Sequence, residues 1–432
     1  MDLNSKLLDF IEHSPTAFHA AANIAAALTA NGYHELLETE VWTVSPGDRV
    51  FIRRNGSSII ALRIPERPPV GFLLAAAHAD SPSLRLKETA PLPPLDSYIR
   101  LNVEKYGGML CAPWLDRPLS IAGRVAVRGG RGVELRLVDL VRPVALIPNL
   151  AIHMDRSANE GKSYEAHVDM LPLFSQAGGR SLDALLAESL GVREEDILSR
   201  ELQLYPFGRG MLWGADEEFL SAPRLDDLQG VYGCLEGFLA AEGSASLTGL
   251  CVFDNEEVGN GTRQGADSTF LSDVLRRVCF ALGMDESAYL RCVANSFLLS
   301  ADNAHAVHPN HSEHADRADR PVLNGGVVLK YNANRHYTTD SVSAALFSEL
   351  CGRIGVPVQR YTNRADIRGG WTLGHVSLSH VSLDTADIGL PQLAMHSCYE
   401  TAGAKDTQYL VRVVRELFSR TLRKTPEGFS LL

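Results

Sequence analysis

The sequence lacks the features of a membrane protein, an exported protein or a nucleic-acid binder. No apolar stretch reaches the roughly 18 residues that a transmembrane helix needs, and the first dozen residues form an acidic amphipathic pattern instead of an export signal. Basic residues form no long run, and 52 acidic against 41 basic residues give a formal net charge of -11. We therefore expect no nucleic acid and no membrane as partner, but a small molecule or a peptide.

The sequence also lacks paired cysteines and a phosphate-binding loop. Its seven cysteines are an odd number and form no Cys-x-x-Cys pair, which in a large chain indicates reduced thiols and a cytoplasmic location. The glycine-rich segment 368–374 has neither the Gly-x-Gly-x-x-Gly spacing nor a Gly-Lys-Ser/Thr ending. A nucleotide-binding function is therefore not expected from it.

The length of 432 residues and an apolar content of 45% predict two domains. From about Thr89 the sequence changes to prolines and short β-prone runs separated by Gly-Gly pairs, and it changes back near residue 221. We predict an inserted β-rich domain at 89–221 that serves dimerisation or oligomerisation. Residues 1–88 and 222–432 would form the catalytic domain. Within the insertion, 181–201 is rich in Leu, Ala and Glu and is predicted to be helical.

Apolar runs in the outer segments predict buried strands of an α/β sheet. These runs are 70–77, 247–253, 295–301 and 392–395. In open α/β sheets, ligands bind in the crevice at the carboxyl ends of the strands. The residues that follow each run are therefore the first candidates for a functional site.

The run 247–253 leads directly into Asp254-Asn255-Glu256-Glu257. Ionised carboxylates this close together repel one another, and a cation would relieve the repulsion. Our hypothesis is that one of Glu256 and Glu257 holds a divalent metal while the other acts as a general base on water. Taken alone, however, Glu-Glu pairs are common at solvated turns.

Imidazoles and carboxylates follow the other strands as well. They are His78 and Asp80, Asp302, and His396, together with Asp226 or Asp227 at a predicted helix start. The simpler interpretation of the aspartate is a helix N-cap. Taken together, this mixture of nitrogen and oxygen ligands suits two divalent cations bridged by one carboxylate. Zn²⁺ is expected, with Mn²⁺ or Co²⁺ as alternatives.

Six motifs in chain order resemble those of the M18 metallopeptidases, the aspartyl aminopeptidase family. They are 78–82, 114–117 with 122–125, 223–226, 254–259, 300–310 and 395–397. The resemblance extends along nearly the whole chain and suggests a bacterial member. It implies a metallopeptidase-type α/β/α catalytic domain with a central mixed sheet, interrupted by the inserted β-rich domain.

The resemblance also implies roles for individual residues. The implied metal ligands are His78 and Asp302 for one Zn²⁺, Glu257 and His396 for a second, and Asp226 as the bridge between them. Glu256 would be the general base, and Asp80 would orient the His78 side of the site. His153 matches a histidine that reaches the active site of a neighbouring subunit, in a homo-oligomer that the family builds as a tetrahedral dodecamer.

The implied substrate is a peptide with a free N-terminus, with a preference for N-terminal Asp or Glu. Contacts to it would come from His305, His308, Lys330 and Arg368. The chain departs from the family at Ala79, where Thr is frequent, and after Ser397. Two other functions remain open: a dinuclear amide hydrolase of the carboxypeptidase or deacylase type, and an inactive assembly protein stabilised by metal.

Overall fold

The computed structural model describes residues 2–367, 369–370, 372–374 and 379–432. The helices among them are α1 (Leu3–Glu12), α2 (Ala17–Ala30), α3 (Ala166–Asp169), α4 (Leu182–Leu190), α5 (Leu225–Ala240), α6 (Phe270–Ala281), α7 (Glu286–Ala294), α8 (Ser341–Arg353) and α9 (Asp406–Phe418). None of these helices combines the length and the hydropathy needed to cross a membrane.

The strands in chain order are β1 (His34–Glu35), β2 (Arg49–Arg54), β3 (Ser58–Arg63), β4 (Phe72–His78), β5 (Ser83–Leu86), β6 (Tyr98–Arg100), β7 (Val103–Tyr106), β8 (Leu119–Gly129), β9 (Gly132–Asp139), β10 (Leu173–Gln176), β11 (Ile197–Pro206), β12 (Met211–Trp213), β13 (Phe219–Ala222), β14 (Leu247–Phe253), β15 (Phe297–Ala301), β16 (Ala304–His305), β17 (Val327–Tyr331), β18 (Val358–Thr362), β19 (Asp384–Gly389), β20 (Pro391–Leu393), β21 (Glu400–Gly403), β22 (Leu422–Thr425) and β23 (Gly428–Leu431).

The central sheet has nine strands in the order β1-β2-β3-β14-β4-β15-β19-β17-β18. The four strands β14, β4, β15 and β19 are parallel to one another. The β2–β3 hairpin, the β3–β14 pair and the β17–β19 pair are antiparallel. The sheet is therefore mixed, and the predicted α/β class with a central mixed sheet is confirmed.

Both faces of the central sheet are covered by helices. In β4, Leu73, Ala75 and Ala77 belong to a core shared with α1, α2, α5, α8 and α9, whereas Leu74 and Ala76 belong to a second core shared with α6 and α7. Successive side chains of a strand point to opposite faces, so a strand covered on both sides must be apolar throughout. The resulting architecture is an α/β/α sandwich.

The register of the parallel strands brings the predicted site residues to one edge. Phe253, the last residue of β14, lies opposite His78, the last residue of β4. Strand β15 pairs with the other side of β4 and ends at Ala301. The segments that begin at Asp254 and Asp302 therefore leave the sheet beside His78.

A second sheet has five strands in the order β7-β5-β11-β8-β9 and its own apolar core. It is built mostly from the segment predicted to be inserted, and it also includes Ser83–Leu86, which precedes the predicted boundary at residue 89. The domain limits stay a prediction.

Two sequence-based expectations about local structure were wrong. The helix predicted at 181–201 ends at Leu190 because Gly191 takes a left-handed conformation (φ 65°), after which β11 begins. The strand before His396 is also not part of the central sheet. It is the short β20, in a separate sheet of order β12-β13-β21-β20-β16, and β19 takes the place beside β15. His396 follows β20 in a turn, with φ of 65°.

Candidate metal centre and active site

The predicted ligand residues line a single cavity of about 610 Å³ at the carboxyl edge of the central sheet. They are His78, Asp226, Glu257, Asp302 and His396, and Glu256 lines the cavity with them. These residues come from five separate segments of the chain. The fold thus brings together every predicted metal ligand.

The donor atoms form three overlapping groups, of which one is His78, Glu256 and Glu257 and the other two share Asp226. One ligand atom each from His78, Asp226 and Asp302 lie within 4.8 Å of one another, and the same holds for Asp226, Glu257 and His396. The two oxygens of Asp226 face different imidazoles: Oδ1 lies 3.5 Å from His78 Nε2, and Oδ2 lies 3.5 Å from His396 Nε2. His396 Nε2 also lies 3.4 Å from Glu257 Oε2.

The structure separates the roles of Asp226 and Asp227. The N-cap position of α5 is Arg224, which forms no capping side-chain hydrogen bond, and Oδ1 of Asp226 and of Asp227 accepts no hydrogen bond from the described residues. The Asp226 carboxylate faces the cavity, whereas Asp227 Oδ2 accepts the backbone N–H of His78 at 3.3 Å. The N-cap interpretation of this aspartate was therefore wrong.

Asp80 connects the His78 segment to the turn that carries the two glutamates. The carboxylate accepts the backbone N–H of Glu256 on Oδ1 at 3.1 Å and that of Glu257 on Oδ2 at 3.2 Å. The carbonyl oxygen of Asp80 lies 3.0 Å from His78 Nδ1. A histidine whose Nδ1 is held in this way presents Nε2 to a metal. Asp80 is almost fully buried and does not line the cavity.

Burial and like charge destabilise the ionised carboxylates of this site. Burial raises the pKa of Glu256 and of Glu257, and the neighbouring carboxylate of Asp226 raises the pKa of Glu257 further. In addition, Asp226 Oδ1 and Glu257 Oε1 are buried and accept no hydrogen bond from the described residues. Buried acceptors without donors are costly unless a cation compensates for them.

The predicted substrate-binding residues are placed differently from one another. His305 and Lys330 line the cavity, and Lys330 Nζ lies 3.6 Å from Asp302 Oδ2. His308 is exposed, with its ring 5.1 Å from that of His311. Arg368 lies outside the described residues. His153 is exposed on a turn of the inserted segment and is not brought to this cavity within the described chain.

Sequence reasoning missed two buried side chains that contact the site. Glu400 accepts the backbone N–H of His396 on Oε1 at 2.7 Å and that of Asp226 on Oε2 at 3.0 Å. Tyr106 donates its hydroxyl to Asp80 Oδ2 at 2.6 Å. Glu400 follows His396 by four positions, which is a weak local signal. Tyr106 reaches the site from another sheet and carries no local signal.

Comparison with known proteins identifies the family. Residues 10–418 match the family model described as aminopeptidase I zinc metalloprotease (M18). The chain belongs to the M18 family. It is therefore a metal-dependent aminopeptidase of a zinc-using family, as the six motifs predicted.

Individual M18 relatives agree along the whole chain. A Clostridium acetobutylicum protein described as probable M18 family aminopeptidase 2 is 41% identical over 428 residues, covering 97% of this chain and 99% of the relative. The structure of Ape4 in complex with Nbr1 superposes with a TM-score of 0.93 at 36% identity, covering 96% of this chain and 85% of that one. The S. cerevisiae mApe1 dodecamer gives a TM-score of 0.85 at 28% identity, covering 96% of each chain.

The residues of this M18 site fit zinc. Two imidazoles and three carboxylates are the ligand types that zinc binds in catalytic sites. Asp226 and Glu257, each of which keeps one unpartnered oxygen, both belong to the donor group that also contains His396. A divalent cation would satisfy these oxygens and offset the repulsion between the carboxylates.

Zinc should stabilise the metal-free M18 protein through this cavity. At free zinc 100-fold above its Kd, binding adds about 2.7 kcal/mol to the free energy of unfolding, which a thermal-shift measurement registers as a higher Tm. In Asp226→Asn the increase should be largely lost, because the amide keeps only one oxygen and removes the negative charge from both donor groups that contain Asp226. Elemental analysis after dialysis should show the same loss of zinc.

A matched control is the exposed group His311, Glu313 and His314, which lies outside the cavity. The double variant His311→Ala, His314→Ala should keep the wild-type response to zinc. If that variant loses the response and Asp226→Asn keeps it, the stabilising zinc binds elsewhere.

Proposed function

We propose that this M18 protein removes N-terminal Asp or Glu from peptides by means of two zinc ions and a glutamate base. The observation that carries the proposal is the sharing of Asp226 between two donor groups, with Glu256 beside them on the cavity wall. His78 and Asp302 would hold one ion, Glu257 and His396 the other, and Asp226 both. The proposal leaves Glu256 free for proton transfer.

The bound zinc ions would supply Lewis-acid polarisation of the scissile carbonyl and activation of water. Glu256 would take the proton of the attacking water and deliver it to the amine that leaves. In the metal-free protein, burial raises the pKa of Glu256, and so do the neighbouring carboxylates of Asp302 and Asp226. Asp80 holds the backbone of Glu256 and so limits the positions that its carboxylate can take.

Glu256→Gln tests the base. We expect kcat to fall by a factor of about 10² to 10⁴, because the amide cannot accept the proton, while zinc content and Tm stay at their wild-type values. The assay is hydrolysis of aminoacyl nitroanilides by the zinc-loaded protein. The exposed Glu242, changed to Gln, is the control for loss of an acidic side chain.

Four outcomes would contradict this function. Unchanged kcat in Glu256→Gln refutes the base assignment, and loss of zinc from that variant makes Glu256 a ligand. Cleavage restricted to N-acetylated peptides would instead support an amide hydrolase of the carboxypeptidase or deacylase type. A zinc-loaded wild-type protein without hydrolysis of any of these substrates would support an inactive assembly protein.

Lys330 supports the preference for acidic N-terminal residues. It is a buried cation on the cavity wall, and its ammonium lies 5.5 Å from the ring centre of Tyr337, another lining residue. A substrate carboxylate that reaches this wall would meet a positive charge in a partly desolvated site, where charge pairs are strong.

The preference is measured as the ratio of kcat/KM for a substrate with N-terminal Asp to that for the nearly isosteric Asn substrate. We expect this ratio to fall at least about tenfold in Lys330→Met, which is about 1.4 kcal/mol. The ratio cancels any general loss of activity that follows from the contact of Lys330 with Asp302. An unchanged ratio would remove Lys330 from substrate recognition.

We further propose that 89–221 forms a domain through which subunits assemble in the cytoplasm as a tetrahedral dodecamer, with His153 reaching a neighbouring active site. The relative mApe1 is described as a dodecamer. The exposed His153 is flanked by exposed apolar side chains, Ile152 and Met154, the latter 79% exposed. Such a surface is suited to burial against a second copy.

The cysteines support the cytoplasmic location. All seven are free thiols, which suits a reducing compartment.

Mixed oligomers test whether His153 acts between subunits. His153→Ala and Glu256→Gln should each be nearly inactive alone. Denatured and reassembled together in equal amounts, they should recover up to about a quarter of wild-type activity, because a subunit with intact Glu256 can then receive His153 from its neighbour. If His153 acts within its own chain, mixing restores nothing. In the control mixture, His167→Ala replaces His153→Ala. This substitution removes a different histidine from the same segment.

A further inference from the structure

Tyr106 reaches the glutamate turn from outside the central sheet. It is the last residue of β7, at one end of the five-stranded sheet, and is 7% exposed. Its hydroxyl donates to Asp80 Oδ2 at 2.6 Å. A hydrogen bond from a hydroxyl to a carboxylate is among the stronger ones in proteins, and its length is in the range typical of such bonds.

The Asp80 carboxylate is thereby held by donors from two sheets. Oδ1 accepts the N–H of Glu256, and Oδ2 accepts both the N–H of Glu257 and the hydroxyl of Tyr106. The two backbone donors belong to the same turn and move with it. Tyr106 is attached to a different sheet and therefore fixes the carboxylate, and through it the turn, relative to the rest of the molecule.

The hydrogen of the Tyr106 hydroxyl is directed to Asp80 by a neighbouring amide. Asn255 Nδ2 donates to the Tyr106 oxygen at 2.9 Å. The orientation of that amide is set in turn, because Asn255 Oδ1 accepts from Thr262 Oγ1 and from Gln264 Nε2, both at 2.8 Å. With its oxygen accepting from Asn255, the Tyr106 hydroxyl is left to donate to the carboxylate.

The end of β7 also approaches the turn closely. Gly107, directly after Tyr106, has φ of 72°, and a Cβ at this position would lie 3.1 Å from Glu257 Cβ. The ring of Tyr106 is covered by the guanidinium of Arg85, 3.6 Å from the ring centre. The tyrosine is therefore anchored on the ring side and in contact with the turn on the hydroxyl side.

We infer that Tyr106 is a positioning residue for hydrolysis, which holds the Glu256–Glu257 turn in place through Asp80. The inference rests on the proposed roles of Glu256 and Glu257 and extends them to the second sheet. Without the hydroxyl, the Asp80 carboxylate keeps only the two N–H donors of the turn and the 3.5 Å contact of Oδ1 with His78 Nδ1. Oδ2 then has no partner outside the turn, so the turn and its carboxylates gain freedom relative to Asp226. The effect should fall on turnover and not on substrate binding.

Tyr106→Phe removes one oxygen and keeps the ring. In the zinc-loaded protein we expect kcat to fall by about tenfold or more, in the range seen for loss of residues that orient metal ligands, with KM changed less than about twofold. Tyr205→Phe is the matched control, since the Tyr205 hydroxyl donates to Asp139 Oδ1 at the same 2.6 Å, from a strand of the same sheet. It should lower Tm to a similar extent and leave kcat unchanged.

A double-mutant cycle shows whether Tyr106 acts through Asp80. In an Asp80→Asn background, Tyr106→Phe should lower kcat no further. Equal loss of kcat in Tyr106→Phe and Tyr205→Phe, or multiplicative effects of Tyr106→Phe and Asp80→Asn, would overturn the inference. If instead Glu256→Gln stays fully active, the proposed function fails, whatever the Tyr106 variants do.

Discussion

Carboxylates buried beside one another are the constraint on which the rest of this structure depends. Asp80, Asp226 and Asp302 are buried at one edge of the central sheet, next to the Glu256–Glu257 turn. Their mutual repulsion and lost hydration must be offset by donors or by cations. Backbone N–H groups satisfy Asp80, whereas Asp226 and Glu257 keep oxygens without a donor among the described residues. The structure thus distinguishes Asp80, which organises the backbone, from Asp226 and Glu257, which line the cavity and are available to a metal.

A carboxylate that accepts two backbone N–H groups is found at two places beside the cavity. Asp80 accepts the backbone N–H groups of the glutamate turn, and Glu400 accepts those of Asp226 and His396. In each case an ionisable side chain fixes main-chain atoms of predicted site residues, and the side chains of those residues line the cavity. Outer residues of this kind are required if the donor atoms are to be in place before a metal or substrate arrives.

The sequence was most informative where the decisive relationship is local. Apolar runs followed by acids and imidazoles identified His78, Glu256, Glu257 and Asp302, because the end of a buried parallel strand is defined by neighbouring residues. The grouping of these residues around Asp226 required the motifs of the family. The sheet that carries His396 was assigned wrongly, since strand pairing depends on residues far away in the chain. For the same reason Tyr106 and Glu400 were missed: each is an ordinary strand residue until its distant partner is known.

The distance along the chain between the residues of the site has a consequence for folding. Asp226 and Glu400 are 174 positions apart, and Asn255 and Tyr106 are 149 apart. Closing such long loops costs entropy that no single contact recovers, so the complete site forms only when the central sheet, the sheet that contains β7 and the sheet that contains β21 have docked. Metal binding at the cavity would then be a property of the whole native chain and not of any segment of it. A metal held by Asp226, Glu257 and His396 would link the central sheet to the sheet that contains β20 and couple the stability of one to that of the other.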